Sequence, residues 1–116
     1  MTLMELTMIP LDKGPGLSSF VAKVVNVIDN SGLDYRLTPM GTVVEGEWSE
    51  LTALLDRCFA TAKDQSDRIS ISLKFDYRKG SVDRLTGKIR SVEEKIGRKL
   101  RTIEDFRQSK TETAED

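Results

Sequence analysis

The sequence predicts an α+β fold: an antiparallel four-stranded sheet, two helices on one of its faces, and a third helix at the C-terminal end. Three observations carry this. Ile69, Ile71, Leu73 and Phe75 alternate strictly with Ser70, Ser72, Lys74 and Asp76, the period of a half-buried strand. Leu51, Leu54, Leu55, Cys58, Phe59 and Ala62 recur at i, i+3, i+4, i+7, i+8 and i+11, which draws one apolar stripe along a helix. Segments of these two kinds then follow one another as strand, helix, strand, strand, helix, strand, helix. The first six make the split βαβ pair of the ferredoxin-like arrangement.

Each element has its own signals. Residues 3–9 alternate loosely, Leu6 and Met8 against Glu5 and Thr7, and Pro10 ends that strand by removing a ladder donor. Asp12 to Gly16, with Gly14-Pro15-Gly16, reads as a loop. Ser18 is placed to cap a helix whose apolar positions are Phe20, Val21, Val24, Val27 and Ile28. Asn30-Ser31-Gly32 stops it. A second strand is expected over 34–40 and a short third one over Thr42-Val43-Val44-Glu45, with Gly41 and Gly46 on either side. Ser49 is the expected cap of the second helix. Leu85, Ile89, Val92, Ile96, Leu100 and Ile103 predict a third helix from near Ser81, although Gly87 and Gly97 each cost it about 1 kcal/mol against alanine. Residues 1–108 read as a single domain, and 109–116 as a disordered acidic tail.

Composition bounds what such a domain does. With 116 residues, 38% hydrophobic and 32% charged, the chain can bury one modest core, and association would help it. A net charge of −1 supplies no strong attraction to nucleic acid or anionic lipid. The charge is unevenly spread: residues 1–77 carry 7 basic and 11 acidic side chains, and residues 78–101 carry 9 and 3. The basic block is expected to be a solvated face of the third helix. No apolar run reaches membrane-spanning length, and no signal-peptide pattern opens the chain, so the cytoplasm is expected.

The residue types exclude most catalytic machinery. No histidine is present, which removes the commonest general base and transition-metal ligand. The lone cysteine, Cys58, sits inside the apolar stripe of helix two and reads as a structural thiol. Gly14-Pro15-Gly16 lacks P-loop spacing and its lysine. Glu45 and Glu47 flank a glycine at a strand end, a weak signal for acid–base work. No Cys-x-x-Cys follows strand one, and the strand-four aromatics Phe75 and Tyr77 fall on the core side, where they cannot stack bases. No enzyme, no cofactor and no metal are expected.

Three stretches carry a resemblance. They are Glu5-Leu-Thr-Met-Ile-Pro-Leu11 running into Leu17-Ser-Ser-Phe-Val-Ala22; Met40-Gly-Thr-Val-Val-Glu-Gly-Glu-Trp48; and Lys74-Phe-Asp-Tyr-Arg78 followed by Lys88 and Ser91-Val-Glu-Glu-Lys-Ile96. In this order and spacing, over about residues 3–100, the chain resembles the small thiamine-binding protein family of ferredoxin-fold (YkoF-like) domains. The resemblance implies a homo-oligomer, dimer or tetramer, binding thiamine or its hydroxymethylpyrimidine moiety. The third helix and acidic tail run past the usual end of that family.

Such a ligand wants carboxylate and hydroxyl partners for an aminopyrimidine, and an acid or a ring for a thiazolium cation. Glu45, Thr7, Thr38, Thr42 and Ser72 can supply the former and Trp48 a ring. Against this, threonines are good strand formers and Trp48 fits a hydrophobic staple on helix two. Glu45 stands out because strict alternation puts it beside Val43, facing the helices, where a bare carboxylate is costly. The polar sheet face is expected to hold Glu5, Thr7, Arg36, Thr38, Thr42, Ser70, Ser72 and Lys74. Two readings follow: a small-molecule binder, or an oligomeric interaction or regulatory protein whose polar sheet face is purely a subunit interface.

Overall fold

A computed structural model describes residues 1–15 and 17–102. The elements are β1 (Thr2–Pro10), α1 (Leu17–Asp29), β2 (Asp34–Thr38), β3 (Gly41–Gly46), α2 (Trp48–Lys63), β4 (Ile69–Tyr77) and α3 (Arg84–Ile96). They fall into two compact units, Met1–Leu85 and the segment from Thr86 onward. The first holds the whole α+β ferredoxin-like sheet, antiparallel throughout, in the order β2-β3-β1-β4.

The register assigns every strand residue to a face. Met4 lies opposite Val44 and Phe75, and Leu6 opposite Thr42 and Leu73. These residues, with Thr2, Met8, Tyr35 and Leu37, point to the helix side. Buried Phe20, Val24 and Ile28 of α1 and Leu51, Leu54, Cys58 and Ala62 of α2 close over them. The second face carries Glu5, Thr7, Arg36, Thr38, Ser70, Ser72 and Lys74, as the alternation predicts.

Two residues break that expectation. Thr42 faces the helices, while Val43 and Glu45 face the other way. Val43-Val44 leaves the phase of β3 open in the sequence, and the tight turn that pairs Thr38 with Gly41 decides it.

Helix boundaries also differ from the sequence reading. Helix α1 begins at Leu17, so Ser18 lies inside its first turn. The N-cap of α2 is Glu47, whose N–H donates to Glu50 Oε1 at 2.9 Å, and Ser49 is within the helix. Strand β2 stops at Thr38, ahead of the turn. Helix α3 begins at Arg84 rather than near Ser81. It ends at Ile96 because Gly97 takes φ +80°, and the N–H groups of Gly97 and Arg98 both donate to Glu93 O, a Schellman closure. No residue of α3 is buried, in keeping with a solvated basic face, and its Ile89, Val92 and Ile96 stay largely exposed. Ile103 and the 109–116 tail lie outside the described residues.

Candidate functional site

Strand β1 outruns β3. The β1–β3 ladder ends at Leu6↔Thr42, while β1 continues alongside β4 to Pro10↔Ile69. Past Leu6, one edge of β1 therefore borders open space. A cavity of about 370 Å³ occupies it, walled by Val21 and Val25 of α1, by Leu37 and Met40 at the β2–β3 turn, and by Thr7 and Met8 of β1. Thr38 and Thr42 also line it. The walls are mostly aliphatic, with a few polar atoms, the usual make-up of a small-molecule site.

Hydroxyls fix the shape of the turn. Thr38 Oγ1 donates to Gly41 O at 2.8 Å and accepts from the Met40 N–H at 3.1 Å. Thr7 Oγ1 donates to Met40 O at 3.1 Å. Gly41 has φ +149°, and a Cβ there would lie 2.6 Å from Thr7 Oγ1 and 3.1 Å from Leu6 O. Only glycine lets the turn come this close to β1. Thr42 is 5% exposed and its hydroxyl makes no side-chain hydrogen bond to another described residue. Because no fully buried side-chain oxygen lacks a partner among the described residues, this hydroxyl is not sealed off, and Thr42 is one of the residues lining the cavity. Met40, 84% exposed, rims the cavity.

Three of the six residues singled out in the sequence thus meet here: Thr7, Thr38 and Thr42. The other three do not. Ser72 is exposed on β4, across from Thr7, and does not line the cavity. Trp48 follows the far end of β3 as the first residue of α2. Its position there excludes the staple reading, and its ring lies 4.7 Å from that of Phe75, tilted by 48°. Glu45 is 7% exposed on the second face, and its Oε1 accepts from the Leu85 N–H at 3.0 Å. A carboxylate from β3 thereby satisfies one free donor of the first turn of α3.

A second cleft, of about 320 Å³, is lined by Lys13, Ser19, Phe20, Lys23, Asp64 and Gln65 and gathers none of these residues. Cys58 is fully buried, and burial pushes its thiol up to about 11 with only a small opposing pull from Arg57. It is inert at neutral pH. Among the described residues no cluster of His, Cys, Asp or Glu could hold a metal ion, and no helix is long and apolar enough to cross a membrane.

The profile of the thiamine-binding protein family matches residues 4–93. The chain belongs to that family. A UPF0045 protein of Mycobacterium tuberculosis is 33% identical over 92 residues, 78% of this chain and 90% of the relative. The crystal structure of a Methanocaldococcus jannaschii protein superposes with a TM-score of 0.73 at 31% identity, covering 80% of this chain and 96% of that one. A Thermotoga maritima structure reaches a TM-score of 0.71 over 78% of this chain and 97% of its own, at 20% identity, a likeness of fold alone. The thiamine-binding family chain described here shares its overall fold with both solved structures.

What the sequence reading misses is the main chain. Met8 lines the cavity at a stretch of β1 that β3 no longer covers, and no residue-type search finds that. The signal was available nonetheless: a strand of about seven residues predicted beside one of four must outrun it.

Proposed function

We propose that the protein is a non-catalytic binder of thiamine or its hydroxymethylpyrimidine moiety, working in the cytoplasm as a homo-oligomer. The observation that carries this is the convergence of Thr7, Thr38 and Thr42 on one largely apolar cavity, in a chain of the thiamine-binding family. The Thermotoga maritima neighbour is itself provisionally described as a thiamine biosynthesis/salvage protein. A pyrimidine ring is flat, mostly apolar on its faces and polar at its rim, which suits aliphatic walls with a few hydroxyls. The absence of histidine from the sequence and the inertness of Cys58 support release of the ligand unchanged.

Calorimetry with thiamine and with hydroxymethylpyrimidine tests the reading. Saturable binding of either, weakened up to about tenfold by Thr42→Val, is the expected result. No heat from either compound at millimolar concentration overturns it.

The homo-oligomer is supported by β4 rather than by the polar sheet face. β4 is an edge strand. Its helix-side residues Ile71, Leu73 and Tyr77 remain exposed, as do Trp48 and Phe59 of α2. Apolar surface along a free edge is what a second copy covers. The alternative of a regulatory protein using only its polar face as an interface draws no comparable support.

A further inference from the structure

We propose that the main chain of Met8 reads the ligand: its N–H and C=O, left unpaired where β3 stops, bind an adjacent acceptor–donor pair on a planar amino-heteroaromatic ring. The proposal rests on the ligand reading above and assigns the polar contacts that reading leaves open.

The parity of β1 decides which groups are free. Leu11 N–H donates to Arg68 O at 2.8 Å, and Arg78 N–H donates to Met1 O at 3.3 Å. Odd-numbered residues of β1 therefore turn their main-chain groups to β4, and even-numbered residues turn theirs to β3, since residues of an antiparallel strand alternate in this way. The β1–β4 register is continuous from Thr2 to Pro10, with no bulge to change the parity. Leu6 meets Thr42 across the β3 ladder, and the ladder ends there. Met8 is the next even residue. By that parity its N–H and C=O face the side that the turn at Gly41 has vacated, where no β3 residue stands opposite Met8, and neither group bonds to the main chain of a described turn or loop residue.

Met8 is a buried residue and lines the cavity. A buried donor and acceptor without partners cost free energy, and a ligand that pairs both recovers it. The N–H and C=O of a single extended residue lie side by side and point the same way. Their complement is a ring nitrogen next to an exocyclic amine, the edge an aminopyrimidine presents. The Thr42 hydroxyl on the facing strand supplies a further polar contact. Pro10, the following even residue, has no N–H to give. An added peptide strand would find one donor here and no continuation, so the edge suits a ring rather than a peptide.

The test follows backbone amides by nuclear magnetic resonance in the isotope-labelled full chain. The probes are hydroxymethylpyrimidine, its analogue with a ring carbonyl in place of the amine, plain aminopyrimidine, and a short extended peptide. In the free protein the Met8 amide should exchange with solvent far faster than that of Leu6. Hydroxymethylpyrimidine should shift the Met8 amide and slow its exchange by about tenfold or more. In the orientation that the methyl and hydroxymethyl groups fix, the carbonyl analogue sets a donor against a donor and an acceptor against an acceptor. It pairs with Met8 only by turning over, which misplaces both substituents, and should bind at least about tenfold more weakly. If hydroxymethylpyrimidine binds and leaves Met8 unchanged, the inference falls while the ligand reading stands. If only plain aminopyrimidine binds and shifts Met8, the inference stands and the thiamine reading falls. Protection of Met8 in the free protein to the level of Leu6, protection by the peptide alone, or no shift with any ring overturns it.

Discussion

Gly41 and Glu45 sit four residues apart on one strand and do different work. Gly41 lets the β2–β3 turn press against β1. Gly41→Ala forces a left-handed backbone and a Cβ contact of 2.6 Å with Thr7 Oγ1, so it should destabilise the protein by about 1–3 kcal/mol. It should also weaken ligand binding, because Thr7 and Met40 must shift. Chemical denaturation with calorimetry on the same sample checks both. Glu45, the residue the sequence marks first, satisfies the Leu85 N–H on the sheet face away from the helices. Glu45→Ala should cost about 1–3 kcal/mol of stability by leaving that donor without its partner, with ligand affinity unchanged. A large loss of affinity at intact stability would restore Glu45 to the binding site.

Elements with a strong period were legible and those without were not. The stripe of α2 and the alternation of β4 fix both elements to within a residue or two, because each period runs unbroken along its element. For β3 the run Val43-Val44 admits either phase, and the tight turn that pairs Thr38 with Gly41 chooses, so Thr42 and Glu45 exchange faces relative to the expectation. In α3 the stripe continues on paper to Ile103, but Gly97 adopts φ +80° and closes the helix at Ile96. Local backbone preference overrides periodicity where no core supports the stripe. The loop between α2 and β4 has a clamp that no period announces. Asp12 accepts from the Ser66 hydroxyl and, at 3.0 Å, from the Asp67 N–H. These two hydrogen bonds, the first the larger cause, hold its carboxyl below the ordinary value of 3.8. A carboxyl depressed in the folded state contributes stability above its unfolded value, and this is lost as pH falls through the folded value. Asp12→Asn should therefore lower the thermal midpoint at neutral pH. The gap from the parent should close as the pH drops below about 4, and a gap independent of pH would show that charge on Asp12 does not matter.

At the scale of the whole molecule, the core is one-sided and β4 is its exposed flank. In β4 the even residues turn their main-chain groups to β1, as Arg68 and Arg78 do at its two ends, so the odd ones, Ile71, Leu73 and Phe75 among them, turn theirs to the free edge. A two-fold axis through Leu73 would lay β4 against its own copy, with Ile71 opposite Phe75 and Ile69 opposite Tyr77. On the second face Lys74 meets Ser72 and Asp76 meets Ser70, so no like charges are opposed. Moving the axis by one residue, a register shift of two, would centre it on Lys74 or Ser72, and the first of these sets lysine against lysine, which disfavours it. Isologous pairing of this kind is the commonest route to a closed dimer. Leu73 is 41% exposed in the single chain, so Leu73→Lys costs the isolated fold little and places two lysines against each other on the axis. Light scattering at micromolar concentration should give an oligomer for the parent and a monomer for Leu73→Lys. The variant should keep its circular-dichroism signature and its ligand site, since the cavity lies on the other edge of β1. A parent that is already monomeric, or a Leu73→Lys oligomer of unchanged mass, would place the contact elsewhere than β4.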